Sequence, residues 1–155
     1  MNHSIQQNKE DFVQQLVYID ENIKELTNLY ISSTAVQERI KHFFNLYTLE
    51  VEDLLEKNKR NRTISSFSKV YIGTKVTVWY EEDNEAEDYI ICLPEQSDPD
   101  SGFISFLSPV GKQLLLRGIG EKLALKIPTG ELSVMIKEIT YVGTNLTSQQ
   151  HTKEA

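Results

Sequence analysis

The sequence predicts an α+β protein in two parts. An N-terminal antiparallel helical hairpin, a coiled coil, precedes a small sheet domain that carries one short helix. Three observations carry this reading. Residues 8–58 contain neither proline nor glycine, and their apolar residues recur at alternating spacings of three and four. Beyond Ser68 the apolar period drops to two, as in half-buried strands. Among those strands, Ser108-Pro109 is a helix start, with a hydroxyl at the N-cap and proline at the first helical position.

The first helix carries Phe12, Leu16, Ile19, Ile23, Leu26 and Tyr30 on one seam. The second carries Val36, Ile40, Phe43, Tyr47, Val51 and Leu54, widened by Phe44 and Leu55. Between them, Ile31-Ser32-Ser33-Thr34 breaks the register. Serine and threonine compete with the backbone for hydrogen bonds, and Thr34 with Gln37 reads as a capping box. So short a connection makes the helices antiparallel neighbours of roughly 22–25 residues each. One long helix with a local break is the rival. Lys57-Asn58-Lys59-Arg60-Asn61-Arg62 ends the second helix with cations that suit its dipole; the alternative is a phosphate-binding patch. Residues 63–68 read as a Ser/Thr-rich linker. The expected boundaries are 1–62 for the hairpin, 67–143 for the sheet domain and 144–155 for a flexible tail.

In the second part, Val76, Val78 and Tyr80 alternate, as do Leu123, Leu125 and Ile127, and then Leu132, Val134 and Ile136. Residues 89–93 and 103–106 are shorter apolar runs. Pro128-Thr129-Gly130 makes a tight turn with Gly130 at positive φ. Val110, Leu114 and Leu115 give the short helix one apolar side, and Gly118 or Gly120 is expected to end it.

Composition narrows the function. The chain has 155 residues, 39% hydrophobic and 25% charged, which excludes wholesale disorder and low-complexity scaffolds. No run approaches the ~18 apolar residues of a membrane-spanning helix. The N-terminus lacks the basic start and apolar core of a signal peptide, so a cytoplasmic protein is expected. The single cysteine, Cys92, in an apolar strand run, fits a buried thiol in a reducing compartment. The net charge of -7 argues against a general nucleic-acid coat. Nine acidic residues and no Lys or Arg lie between Glu81 and Asp100, whereas the remainder carries 16 basic and 14 acidic residues. That run reads as a solvated loop, or as a surface for a basic partner. His3, His42 and His151 are scattered and have no zinc-ligand spacing. With no glycine-rich phosphate loop and no nucleophile elbow, no cofactor, metal or small-molecule substrate is expected, and no enzyme activity.

The stretch Ile104-Ser105-Phe106-Leu107-Ser108-Pro109-Val110-Gly111-Lys112 resembles the C-terminal domain of the GreA/GreB transcription factors. The resemblance continues through Leu114-Leu115, Gly120-Glu121 and Lys126-Ile127-Pro128-Thr129-Gly130-Glu131, and the residues 70–78 around Gly73-Thr74 look like that family's first strand. Gln113 departs from it, standing where a small residue is usual. The resemblance implies an FKBP-like antiparallel sheet domain that docks on the rim of the secondary channel of bacterial RNA polymerase, with Ser108, Pro109, Val110 and Gly111 as docking residues. It also implies a coiled coil that reaches toward the active centre, where two acidic tip residues help hold a catalytic magnesium and stimulate transcript cleavage. Hard cations bind oxygen anions. Here the tip reads Ser32, Ser33 and Thr34, and the nearest acid on the second helix is Glu38. Glu38 also suits the positive end of a helix as a first-turn acid. The hairpin looks shorter than that of the cleavage factors, by roughly two turns.

The expected function is therefore a non-catalytic regulator that binds RNA polymerase at the secondary channel without ordinary cleavage stimulation. A similarity to Rnk-type proteins, with short coiled coils, points the same way. A coiled-coil interaction module is the alternative, with Val17, Leu29, Leu46 and Leu49 outside the seam. A prolyl isomerase lined by Trp79, Tyr80, Phe103 or Phe106 is a further one.

Overall fold

The computed structural model describes residues 2–30 and 34–146, without the side chains of residues 2–7, 24, 26–30 and 34–37. The chain divides into two compact units. The first holds the two long helices through Ile64 together with Asn145 and Leu146; the second spans Ser65–Thr144. Of the expected tail, the residues from 147 on lie outside the described residues.

In the first unit, helix α1 (Asn2–Tyr30) and helix α2 (Thr34–Lys57) pack on each other. Phe12, Ile19, Phe44, Tyr47, Val51 and Leu54 are buried there as the periodicity predicts. The seam of α1 is more polar than expected. Asn8, Asp11 and Gln15 are buried, whereas Leu16 and Ile23 are only half-buried. Burying polar groups is costly unless they are bonded, and the bonds are present. The Tyr47 hydroxyl donates to Gln15 Oε1 at 2.6 Å. Asn8 accepts from the Ile64 N–H at 3.1 Å and donates to the Ile64 carbonyl at 3.3 Å. Beyond the end of α2, Lys9 Nζ donates to the carbonyls of Asn58 and Asn61. This places a cation at the negative end of the helix. The expected linker at 63–68 is thus anchored: Ile64 and Phe67 are buried, and Phe67 stacks on Tyr141.

The second unit is a five-stranded sheet in the order β3-β2-β1-β5-β4. Its strands are β1 (Thr74–Tyr80), β2 (Glu85–Cys92), β3 (Phe103–Ser105), β4 (Lys122–Ile127) and β5 (Gly130–Tyr141). Val76, Val78, Ile91, Leu125, Val134, Ile136 and Ile139 turn to one face and form the core with Phe106 and Leu114. The wholly antiparallel sheet expected from the sequence is corrected at one edge: β2 and β3 pair in parallel. Residues 93–102, shaped by two single-turn 3-10 segments at Pro94–Gln96 and Pro99–Ser101, bring the chain back beside Ile90, so that β3 runs in the same direction as the last three residues of β2. The acidic stretch is not one loop either. Glu81 to Asp88 form an exposed hairpin end that continues into β2. Beyond the Ile90–Cys92 pairing with β3, the acidic part of β2 is a strand edge, and charge there discourages edge-to-edge association.

Helix α3 (Pro109–Leu114) contacts both β3 and β4, the two outer strands of the sheet. The sheet therefore curls until both its edges meet one helix. The helix ends without glycine. Leu115 caps it, and Leu116 takes the left-handed conformation at φ 67°. Two hydrogen bonds hold Leu116 and its successor there, Leu116 N–H to the Val70 carbonyl at 2.7 Å and Arg117 N–H to the Leu114 carbonyl at 3.1 Å. Tertiary bonding overrides the usual preference for glycine at such a position.

Candidate docking corner

Local chemistry builds the corner at the start of α3. Ser108 adopts an extended conformation, and its Oγ accepts from the Gly111 N–H at 3.0 Å, satisfying one orphan donor of the helix. The same hydroxyl donates to the Ser105 carbonyl at 2.7 Å, and the Ser108 N–H reaches that carbonyl at 3.0 Å. Ser105 Oγ in turn accepts from the Leu107 N–H. Ser105, at the end of β3, thus holds the corner as firmly as Ser108 does. Sequence reasoning singled out Ser108 and missed Ser105 as a site residue, although the two serines three apart were the available signal.

Gly111 is buried against this turn. A Cβ there would overlap the Ser105 carbonyl oxygen and stand 2.9 Å from Ser108 Oγ. Ser108, Pro109, Val110 and Gly111 are thereby brought together, with Pro109 exposed and Val110 half-buried.

A second network braces the far end of α3. The Gln113 side chain donates to the Lys126 carbonyl at 2.8 Å and accepts from the Lys126 N–H at 2.7 Å. Arg117 Nε donates to the Gln113 carbonyl at 2.9 Å, and its Nη1 meets Glu121 Oε2 at 2.7 Å. Glu121 Oε1 accepts from the Gly118 N–H at 2.9 Å. That backbone donor first, and the Arg117 guanidinium second, hold the Glu121 carboxyl below the usual carboxylate range. A depressed folded value stabilises the fold above the unfolded value of about 4.3. The contribution is lost as pH falls through the folded value. Thermal unfolding of the native chain and Glu121→Gln should therefore differ at pH 7 and converge as the pH is lowered past 4. A difference that does not shrink as the pH falls below the unfolded value would contradict this assignment.

The expected tip is only partly in view. Ser32 and Ser33 lie outside the described residues, and Thr34 opens α2 with its side chain undescribed. Glu38 is exposed on α2. Outside the seam, Val17, Leu46 and Leu49 are exposed as expected, Val13 joins them, and Leu29 lies outside the described side chains. The aromatics suggested for a proline pocket do not converge. Trp79 and Tyr80 are adjacent on β1 and point to opposite faces. Trp79 carries Lys137 over its ring at 4.8 Å, and Phe106 is buried in the core. Cys92 is buried, which pushes its thiol up to about 11 and keeps it unreactive at neutral pH. No described helix is long and apolar enough to cross a membrane.

The corner lies within a segment that matches known proteins. The sequence model described as transcription elongation factor, GreA/GreB, C-terminal, matches residues 64–141. A protein named transcription elongation factor GreA from Desulfovibrio desulfuricans is 38% identical over 78 residues, 50% of this chain and 48% of that protein. Its namesake from Prosthecochloris aestuarii is 42% identical over 73 residues, 46% of each chain. The chain thus matches about half the length of these curated relatives. Among solved structures, a GreA/GreB factor from Nitrosomonas europaea aligns with 25% identity and a TM-score of 0.45, covering 67% of this chain and 93% of that one. The Thermus thermophilus GreA factor homolog 1 aligns with 20% identity and a TM-score of 0.43, covering 90% and 94%. With its Ser105–Gly111 corner, its Gly120-Glu121 pair and half its length inside the matched segment, the chain belongs to the GreA/GreB transcription elongation factor family.

Proposed function

We propose that this protein is a cytoplasmic regulator that binds bacterial RNA polymerase at its secondary channel and does not stimulate ordinary transcript cleavage. The second unit acts as an FKBP-like docking domain, with Ser108, Pro109, Val110 and Gly111 at the contact. Helices α1 and α2 act as an antiparallel coiled-coil hairpin inserted into the channel. In support, Gln15 meets Tyr47 on α2 whereas Lys9 meets Asn58 and Asn61 just past its end, so the partners move later in the chain as α1 is followed backward.

The observation that carries the reading is the charge of the tip. Leu26 to Gln37 contains no charged residue. Holding a catalytic magnesium requires oxygen anions, and serine and threonine hydroxyls are poor substitutes. A hairpin of this kind occupies the channel without supplying carboxylates to the metal, and so competes with factors that do.

The purified protein should bind core RNA polymerase, and excess GreA should displace it. Backtracked complexes should cleave their transcripts no faster with it than without it, and Glu38→Gln should change nothing. Faster cleavage that Glu38→Gln abolishes would assign Glu38 to the metal and overturn the non-cleaving reading. No binding at micromolar concentration would favour the second reading, an interaction module, for which the exposed Val13, Val17, Leu46 and Leu49 are the observation.

A further inference from the structure

Strand β4 is an outer strand of the sheet. It pairs with β5 from Lys122↔Met135 to Ile127↔Gly130. In an antiparallel pair, alternate residues turn their backbone groups to the partner and the others turn them outward. Lys126 is one of the outward residues, and Gln113 meets both of its backbone groups, accepting from the N–H at 2.7 Å and donating to the carbonyl at 2.8 Å. This pair fixes the orientation of the amide, because only its oxygen can accept from an N–H. The same Nε2 also reaches the Pro109 carbonyl at 3.1 Å, one turn back on α3.

We propose that Gln113 is a positioning residue: its side chain takes the place of a missing strand neighbour at Lys126 and thereby fixes α3, and the Ser108–Gly111 corner at its start, against the edge of β4. The proposal rests on the docking role given to that corner above. The geometry explains why an amide is needed. A neighbouring strand offers one acceptor and one donor side by side, and among side chains of this length only glutamine offers the same pair. Methionine would keep the length and flexibility and lose both bonds. Glutamate would keep the acceptor for the Lys126 N–H and set a second oxygen against the Lys126 carbonyl. The Ser108 cap holds the start of α3 and the Leu116–Val70 backbone bond holds the chain just past its end, and a helix of 6 residues has too few internal bonds to hold its own orientation between them. Gln113 adds the side-chain attachment to β4, and its backbone carbonyl passes the brace on to Arg117 and Glu121.

The test compares the native full-length chain with Gln113→Met in two measurements. Amide hydrogen exchange in the free protein should quicken about tenfold at Lys126, Gly111 and Lys112, the loss of roughly one to two hydrogen bonds. Exchange at the central β1 and β5 amides should stay unchanged. Affinity for core RNA polymerase should fall by about the same factor, because the corner is no longer preorganised. Gln113→Glu should fall between the two. Unchanged exchange at Lys126 and Gly111 would overturn the proposal, as would quickened exchange with unchanged affinity. If the native chain does not bind polymerase, the docking reading has failed by itself, and exchange at Gly111 and Lys112 still decides whether Gln113 positions α3.

Discussion

Gly111→Ala should cost at least about 3 kcal/mol, the upper part of the range for overpacking a filled site. The added methyl would overlap the Ser105 carbonyl oxygen, a backbone atom at the end of β3 that already accepts two hydrogen bonds from Ser108. No side-chain rotation relieves such a clash. Either β3 or the first turn of α3 must move. Movement of either breaks the Ser108 cap and exposes Leu114 and Phe106, both fully buried. For a unit of about 80 residues the melting temperature should drop by more than roughly 12 °C, and polymerase binding should be lost with it. The measurement is calorimetry of the full chain beside near-ultraviolet circular dichroism. A shift of only a few degrees would mean that the turn has slack at Gly111. Proposed docking and stability thus share one constraint, the contact between the Ser105 carbonyl and the α-carbon of Gly111.

Asn8→Ala should destabilise the first unit by about 2–3 kcal/mol, the cost of leaving two buried backbone groups without partners. The Asn8 amide serves both the N–H and the carbonyl of Ile64, and both residues are buried. Alanine preserves helix propensity, so the loss reports the bonds and not the helix. Urea unfolding would read the energy, and hydrogen exchange at the Ile64 N–H would locate it. An effect under about 0.5 kcal/mol would mean that water replaces the amide at no cost.

These two sites show why some of the structure was legible in the sequence and some was not. The Ser108 cap, the Pro109 start and the turn at Gly130 follow from a few adjacent residues, and all three are present. Strands β1, β4 and β5 announce themselves by period two. The parallel pairing of β3 was not legible, because it depends on the path of residues 93–102 and not on the strand residues. The left-handed turn at Leu116 was hidden for a similar reason: its bond to Val70 joins residues 46 apart in sequence. Asn8, Asp11 and Gln15 occupy seam positions, yet polar residues in a helical pattern read as solvent-facing. Their spacing of three and four beside Phe12 and Ile19 was the one available sign. In the candidate site, the resemblance supplied Ser108–Gly111 and flagged Gln113 as a departure. The partner of Gln113, Lys126, could not be read from either residue alone.

The pairing of β1 with β5 has a consequence for how such a protein can change over time. The strand that opens the second unit lies beside the strand that closes it, with Thr74 opposite Tyr141 and the Gly73 carbonyl accepting from Val142 and Gly143. Chain enters and leaves this unit through neighbouring points. A segment attached there is joined to a self-contained module, and its own sequence is free to drift without disturbing the module's pairing. The family match obeys this boundary, running from Ile64 to Tyr141 and stopping short of both helices. Changes in the helical arm can therefore leave the pairing of this unit intact.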